Sequence, residues 1–368
     1  MILSLKIRLK LTEEQEVLCR KSVGVARFIY NLMLSENNKI YKEYLLNGKQ
    51  GTAPFISGYG FSKRITVLKK TEEYSWLSEV SAQVAVHSCI DCDTAFKRFF
   101  KGLSDYPKFK KKGTNNSFYV KYNSIKATQR GFKCEKLGEI KTSEPIPKVN
   151  KYHNPRIIYD GKYWYITFGI DVPEKVNENN SGKILGVDLG IKTFATISDG
   201  TVIPNINKSK NSKSIYKRIK YFQRKLARCK KGSNNRINVA KKLKLLHRRL
   251  RNIRSNHIHQ ATAMLVKTKP IKIVIECLNV LGMLKNRNLS RAISQAGFYE
   301  FARRLEYKCK LHGIEFLTAD RFFPSSKLCS KCGCKKDKLK LSERIYHCKH
   351  CGNIMDRDLN AAINLSYL

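Results

Sequence analysis

Hydrophobic and polar positions alternate from the first residues. Leu3, Leu5, Ile7, Leu9 and Leu11 interleave with Ser4, Lys6, Arg8 and Lys10. That is the two-residue period of a half-buried strand, not the unbroken apolar core of a signal peptide. The period then lengthens to that of a helix. Thr12 and Gln15 fit a capping box, and helical patterning runs on to about Leu46. Residues 47–62 are rich in Gly, Ser and Pro and read as a loop. Trp76-Leu77 reads as a core anchor ahead of a second helix over about 81–100. Cys89 and Cys92 fall inside that helix without a partner pair, so they read as core packing.

Residues 105–175 are β-rich and broken by turns. Asp160-Gly161, between RIIY and KYWYITF, is a strong hairpin signal. The pattern predicts a small β-barrel built from 1–11 and 105–175, with a helical region, 12–104, inserted into it. Residues 176–182 read as a linker. Beyond them KILGVDLGIKTFATISDG predicts strand, turn and strand. Two helical stripes follow: Ile215, Ile219, Phe222 and Leu226, then Val239, Leu243, Leu246, Leu250 and Ile253, parted by a turn at Ser233. The strand IKIVIE, a basic loop (KNRNLSR), a helix around 294–312, a strand near 314–317, a cysteine cluster and a last helix from about Leu359 complete the chain.

Charge narrows the picture. Seventy-two Lys+Arg face 29 Asp+Glu, a net charge of +43. Self-repulsion of that size opposes compaction and points to a polyanionic partner, nucleic acid. An anionic membrane surface would favour one amphipathic helix, whereas this charge is spread along the chain. No apolar run approaches the roughly 18 residues of a membrane span. Residues 208–254 hold 19 Lys+Arg and no acid. Lys217, Arg218, Arg224, Arg248 and Arg249 in that stretch, with Arg287 and Arg291 after it, are candidate nucleic-acid contacts.

Twelve cysteines in a protein without secretory features argue for metal binding or inert core thiols. Cys329-x2-Cys332 is followed after fifteen residues by Cys348-x2-Cys351, each pair with a glycine directly after it. This is the spacing of a zinc ribbon with a closed, structural site. Cys334, His347 and His350 are competitors within the cluster. Three carboxylates form the second constellation. Asp188 and Glu276 each end an apolar strand, and Asp358 begins the last helix. A charge there must be paired, solvated or metal-bound. Three oxygen donors suit Mg²⁺ or Mn²⁺, and two such ions can drive phosphodiester hydrolysis. Asp356 rivals Asp358 for the third position.

GVDLGIKTFAT, IVIECLNVLGM, FPSSKLCSKCG and YHCKHCGNIMDRDLNAAINL, in this order, resemble the TnpB family, RNA-guided nucleases of bacterial and archaeal insertion sequences related to type V CRISPR effectors. The resemblance implies an α/β multidomain protein. Its RNase H-like (RuvC) nuclease domain would span 183–325 and 355–368, with a zinc ribbon, 326–354, inserted, and the N-terminal barrel and helices would act as wedge and recognition regions. The family's acid trio falls on Asp188, Glu276 and Asp358. The implied partners are a guide RNA from the element's end and target double-stranded DNA carrying a short flanking motif. The implied location is the cytoplasm, at the nucleoid. Arg27 lies in a family-like segment of the first helix, Lys108 and Lys110 in its basic loop. Gln83 lies in the segment resembling the one that reads the flanking motif. A repressor that has lost cleavage, or a DNA-strand transposase using the same trio, are the rival readings.

Overall fold

The computed structural model describes residues 1–48, 51, 54–173, 181–340 and 342–368. They form two compact units, 1–172 and 173–368. Most of the 176–182 linker reading lies outside the described residues.

In the first unit, β1 (Ile2–Lys10) leads into α1 (Glu13–Leu46) through the expected capping box, Thr12 with Gln15. Then come α2 (Gly58–Leu68), a 3-10 turn (Glu72–Glu79), α3 (Ala82–Phe100), β2 (Ser117–Tyr119), β3 (Lys126–Ala127), β4 (Gly131–Cys134), β5 (Gly138–Thr142), β6 (His153–Tyr159) and β7 (Trp164–Asp171). The strands make one seven-stranded ladder, β2-β6-β7-β1-β5-β4-β3. β1 pairs antiparallel with both β7 and β5, so the first strand joins the two halves of the sheet. Among the described residues the two edge strands, β2 and β3, are not paired with each other, so hydrogen bonds do not close the ladder into a ring. Asp160-Gly161 makes the expected β6–β7 hairpin, with the Asp160 carboxylate accepting from the Lys162 and Tyr163 amides.

Two readings change here. The stretch read as loop contains the start of α2, capped by Ser57, because Phe61 and Ile65, four residues apart, bury one face. Of the Trp76-Leu77 anchor only Leu77 is buried; Trp76 lies 38% exposed with its ring edge-on to Phe28. Cys89 and Cys92 are core residues, and burial pushes both thiols up to about 12.

The second unit runs β8 (Ile184–Leu189), β9 (Thr193–Ile197), β10 (Val202–Pro204), α4 (Lys210–Arg228), α5 (Asn234–Lys267), β11 (Lys272–Ile275), α6 (Val280–Leu284), α7 (Ser290–Ala296), α8 (Phe298–His312), β12 (Glu315–Thr318), β13 (Ile345–His347), β14 (Ile354–Asp356) and α9 (Arg357–Ser366). Its sheet has the order β10-β9-β8-β11-β12. The first three strands are antiparallel, and β8, β11 and β12 are parallel. Alternation sorts the two faces. Leu185, Val187, Leu189, Ile273 and Ile275 pack with residues of α5 and α8, while Val274 on the other face packs with Leu365 of α9.

The basic stretch is a hairpin of α4 and α5 held by Ile215, Ile219, Leu246 and Leu250. α5 runs on past it to Lys267, and its last third (Ile258, Ala261, Leu265) belongs to the sheet core. The helix expected around 294–312 is two helices, α7 and α8, broken at Gly297 with φ +74°.

Candidate active site and thiolate knuckle

Strand periodicity puts two acids on one face. Gly186 and Asp188 share the α9 face of β8, and Glu276 has the parity of Val274 on β11. The parallel register pairs Val187 with Ile275, so Asp188 and Glu276 follow as neighbours at the carboxyl ends of adjacent strands. The Leu189 amide donates to Glu276 Oε1 at 2.9 Å and fixes that carboxylate.

Gly186 lets α9 approach. A Cβ there would lie 1.9 Å from the Ala362 carbonyl oxygen and 2.6 Å from the Ser366 nitrogen. The helix therefore rests on bare backbone, with Ala361 and Ala362 buried beneath it. Four residues before Ala362, on the same helix face, stands Asp358. Two residues of strand advance about 6.6 Å and four of helix about 6 Å, so contact at Gly186 carries Asp358 to the level of Asp188.

All three acids line one open cleft of about 670 Å³, with Lys192, Lys208, Lys327, Arg344 and Arg357 on its walls. Burial first, then the charges of Glu276 and Asp358, raises the Asp188 carboxyl well above its usual range, with Arg357 opposing. Burial also lifts Glu276 to about 7, against the Leu189 hydrogen bond and with help from Asp358. Carboxylates that raise one another in a partly desolvated cleft form a site that favours a cation. The oxygens of the three acids do not all fall within 4.8 Å of one another. Asp356 has a different task. Its carboxylate caps α9, accepting from the Asp358 and Leu359 amides at 2.9 and 3.0 Å, and it is exposed outside the cleft lining.

The four cysteines converge. The sulfurs of Cys329, Cys332, Cys348 and Cys351 all lie within 4.8 Å of one another. Cys329–Cys351 and Cys332–Cys348 are each 3.6 Å apart, close to the roughly 3.8 Å edge of a tetrahedron with 2.3 Å zinc–sulfur bonds. Gly333 and Gly352, at φ +72° and +70°, turn each knuckle. Against the burial that would raise it, the amides of Cys332 and Lys331 hold the Cys329 thiol down at about 6. Amides of Cys351 and His350 lower Cys348 likewise. The set is compatible with a structural zinc. Cys332, Cys334 and His350 form an overlapping group; it is more exposed and borrows a thiol from the first. His347 belongs to neither.

Two asparagines that sequence reading passed over tie the knuckle to the acids. Asn360, fully buried on α9, accepts from the Ser330 amide at 2.9 Å and donates to the Leu328 carbonyl at 2.6 Å. Asn364, one turn on, donates to the carbonyls of Ser325 and Leu328 at 2.7 and 2.8 Å. Both clasp the segment around Cys329, from the helix that carries Asp358. The detectable signal was a polar pair four residues apart on the apolar face of a short helix.

The basic candidates are scattered. Lys217, Arg218, Arg224, Arg249, Arg287 and Arg291 are exposed, and Arg248 is half-buried. Arg27 is half-buried and donates to the Asn115 carbonyl and Asn116 Oδ1. Lys108 is exposed beside Asp105, and Gln83 sits half-buried in the first turn of α3. Lys110 is committed within its unit. Its ammonium lies 3.8 Å from Asp91 and 3.8 Å from the Tyr30 ring centroid, and burial lowers its pKa.

The backbone defines an α/β multidomain protein. A Cas12f1–guide RNA–target DNA complex shares the fold with a TM-score of 0.55 at 15% identity, covering 100% of this chain and 98% of that one. Family models described as "Probable transposase" and "Cas12f1-like, TNB domain" match residues 167–287 and 298–365. A third, described as "Helix-turn-helix domain", matches residues 1–45, where the structure has a strand and one continuous helix. A Streptomyces pristinaespiralis protein named "Putative RNA-guided DNA endonuclease" is 31% identical over 98% of this chain and 87% of its own length. Escherichia coli K12 "Putative RNA-guided DNA endonuclease InsQ" is 28% identical over 98% and 90%. "TnpB-like protein L79" of Acanthamoeba polyphaga mimivirus is 25% identical over 99% and 72%. The chain belongs to the TnpB family.

Proposed function

We propose that this protein is an RNA-guided DNA endonuclease of an insertion-sequence element. The observation that carries the reading is the convergence of Asp188, Glu276 and Asp358, from two strands and a helix, in one cation-walled cleft. The second sheet, three antiparallel strands continued by two parallel ones, supports an RNase H-like (RuvC) domain over 183–325 and 355–368. The knuckle at 326–354 is the inserted zinc ribbon. The ladder of 1–11 and 105–175, with the helices of 12–104, serves as wedge and recognition regions. Sequence choice then rests on base pairing, and the protein supplies backbone-binding charge, which accounts for +43 without a base-reading motif.

Asp188, Glu276 and Asp358 are the residues that would hold Mg²⁺ or Mn²⁺. Divalent ions held there would supply Lewis-acid activation of the phosphodiester and of water for its hydrolysis. Leu189 orients Glu276 through its amide, α9 sets the height of Asp358 above the sheet, and Lys192, Lys208, Lys327 and Arg344 draw the phosphate backbone into the cleft. Cys329, Cys332, Cys348 and Cys351 are the residues that would hold zinc, and its binding energy would help fold the ribbon.

Native purification, sequencing of the RNA that accompanies the protein, and cleavage of a plasmid bearing the matching target in Mg²⁺ test the reading. A defined RNA and guided double-strand cuts, lost in Asp188→Asn, are expected. Tight guided binding without cutting by the intact protein identifies a repressor instead, and joined DNA products identify a transposase.

A further inference from the structure

Arg254 on α5 and Arg291 on α7 both stand over the ring of Tyr216 on α4, their guanidinium carbons 5.5 and 5.2 Å from its centroid. No carboxylate lies within 4.0 Å of either among the described residues. Like charges gathered without an acid are unfavourable, and here the gathering is built in. Arg254 is half-buried, and its Nε donates to Asn207 Oδ1 at 2.8 Å. That oxygen also receives the Tyr216 hydroxyl. Asn207 is itself anchored through Nδ2 to Asn205 Oδ1 and the Gln295 carbonyl, both at 3.0 Å. Asn205 in turn donates to the carbonyl of Ile191, a cleft residue. Of the Arg254 nitrogens only Nε makes a hydrogen bond among the described residues, which leaves both terminal nitrogens as a donor pair that a phosphate can accept from. Burial first, then Arg291, lowers the pKa of Arg254, as expected of a cation kept waiting for an anion. Lys208 and Leu289, neighbours of Asn207 and Arg291 in sequence, line the acid cleft.

We infer that Arg254 and Arg291, mounted over Tyr216 beside the acid cleft, form a phosphodiester-binding pincer that grips the DNA strand flanking the linkage to be cut. The inference rests on the nuclease reading for the identity of the strand, and on the arginine geometry alone for its chemistry. Neither Arg254 nor Tyr216 stands out in the sequence, where Arg254 is one basic residue among many.

The test uses the full-length, zinc-loaded chain in magnesium-free buffer with labelled single-stranded DNA over a salt series. Arg254→Gln and Arg291→Gln each weaken binding several-fold and reduce the slope of log affinity against log salt by about 0.7, the value for one single-strand phosphate contact. A strand carrying one uncharged methylphosphonate, moved along its length, weakens wild-type binding at one linkage, and the Gln variants are indifferent to that substitution. Unchanged slopes, or variants as sensitive to that linkage as wild type, overturn the pincer. If the Gln variants do not fold, Arg254→Lys and Arg291→Lys retain charge: the slope stays and affinity falls if the forked contact exists, and unchanged affinity overturns it. Because binding is read without cleavage, the two ideas fail separately. Unchanged slopes in a protein that cuts guided DNA remove only the pincer, and reduced slopes in a protein that never cuts support the phosphate grip and remove only the nuclease.

Discussion

Gly186→Ala probes the geometry that joins Asp188 to Asp358. The new methyl would sit 1.9 Å from the Ala362 carbonyl oxygen, where real contacts begin near 3.0 Å, and its neighbours are helix backbone that cannot rotate away. α9 must therefore retreat by about 1 Å or more. Overpacking of this kind costs about 1–3 kcal/mol, and a 1 Å displacement of a reacting group costs on the order of 100-fold in rate. Single-turnover cleavage of a guided target in saturating Mg²⁺ should slow by about that factor. Target binding, measured by gel shift in Ca²⁺, should hold within about twofold. Gly24→Ala is the control, since it lies within α1 with open space around its Cβ position, and it should leave both readouts unchanged. If Gly186→Ala cut at a wild-type rate while thermal unfolding showed the fold intact, contact between α9 and β8 would not be what positions the third acid.

The acid cleft sets a pH dependence. Glu276 titrates near 7 in the folded chain and near 4.5 when free, so the folded state holds the extra proton. Its contribution to metal-free stability is complete below about 4.5 and is lost as pH rises towards 7. Melting curves should show metal-free protein weakening across that window, and Mg²⁺ raising the melting temperature more at pH 8 than at pH 6. Glu276→Gln should abolish cleavage yet stabilise the metal-free protein above pH 7, on the order of 1–3 kcal/mol; a destabilised variant would contradict the repulsion. Cys348→Ser should lower bound zinc, measured by a chromophoric chelator, and reduce cleavage with it, because Asn360 and Asn364 tie the Cys329 segment to the helix that carries Asp358; full cleavage with zinc lost would break that coupling. Asn360→Ala strands the Ser330 amide and leaves the Leu328 carbonyl with Asn364 alone, costing about 1–3 kcal/mol in urea unfolding, and should slow cleavage while zinc is retained.

What was legible follows from how local each signal was. The first strand, the capping box at Thr12, the hairpin at Asp160 and the cysteine spacing are short-range patterns, and each appears where its residues predict. Asp188 and Glu276 were visible because a charge at the end of an apolar strand is costly unless used. The rest depended on partners distant in sequence. Gly186 is one more residue of an apolar strand until α9 is laid against it. Asn360 and Asn364 look like surface polar residues until the Cys329 segment covers them. α2 hid behind glycine and serine although Phe61 and Ile65 carry a helical interval. The rivalry between Asp356 and Asp358 needed the helix start to within one residue, because one of them must cap what the other begins.

The contact between α9 and Gly186 joins positions nearly 180 residues apart. Pairings of such long range form late, since the loop they close must first be ordered. On that basis a chain still folding is expected to present its basic helices before its third acid is in place. If the three acids act as proposed, such a chain would hold nucleic acid before it could cut it, and closing this long-range contact would be what arms it.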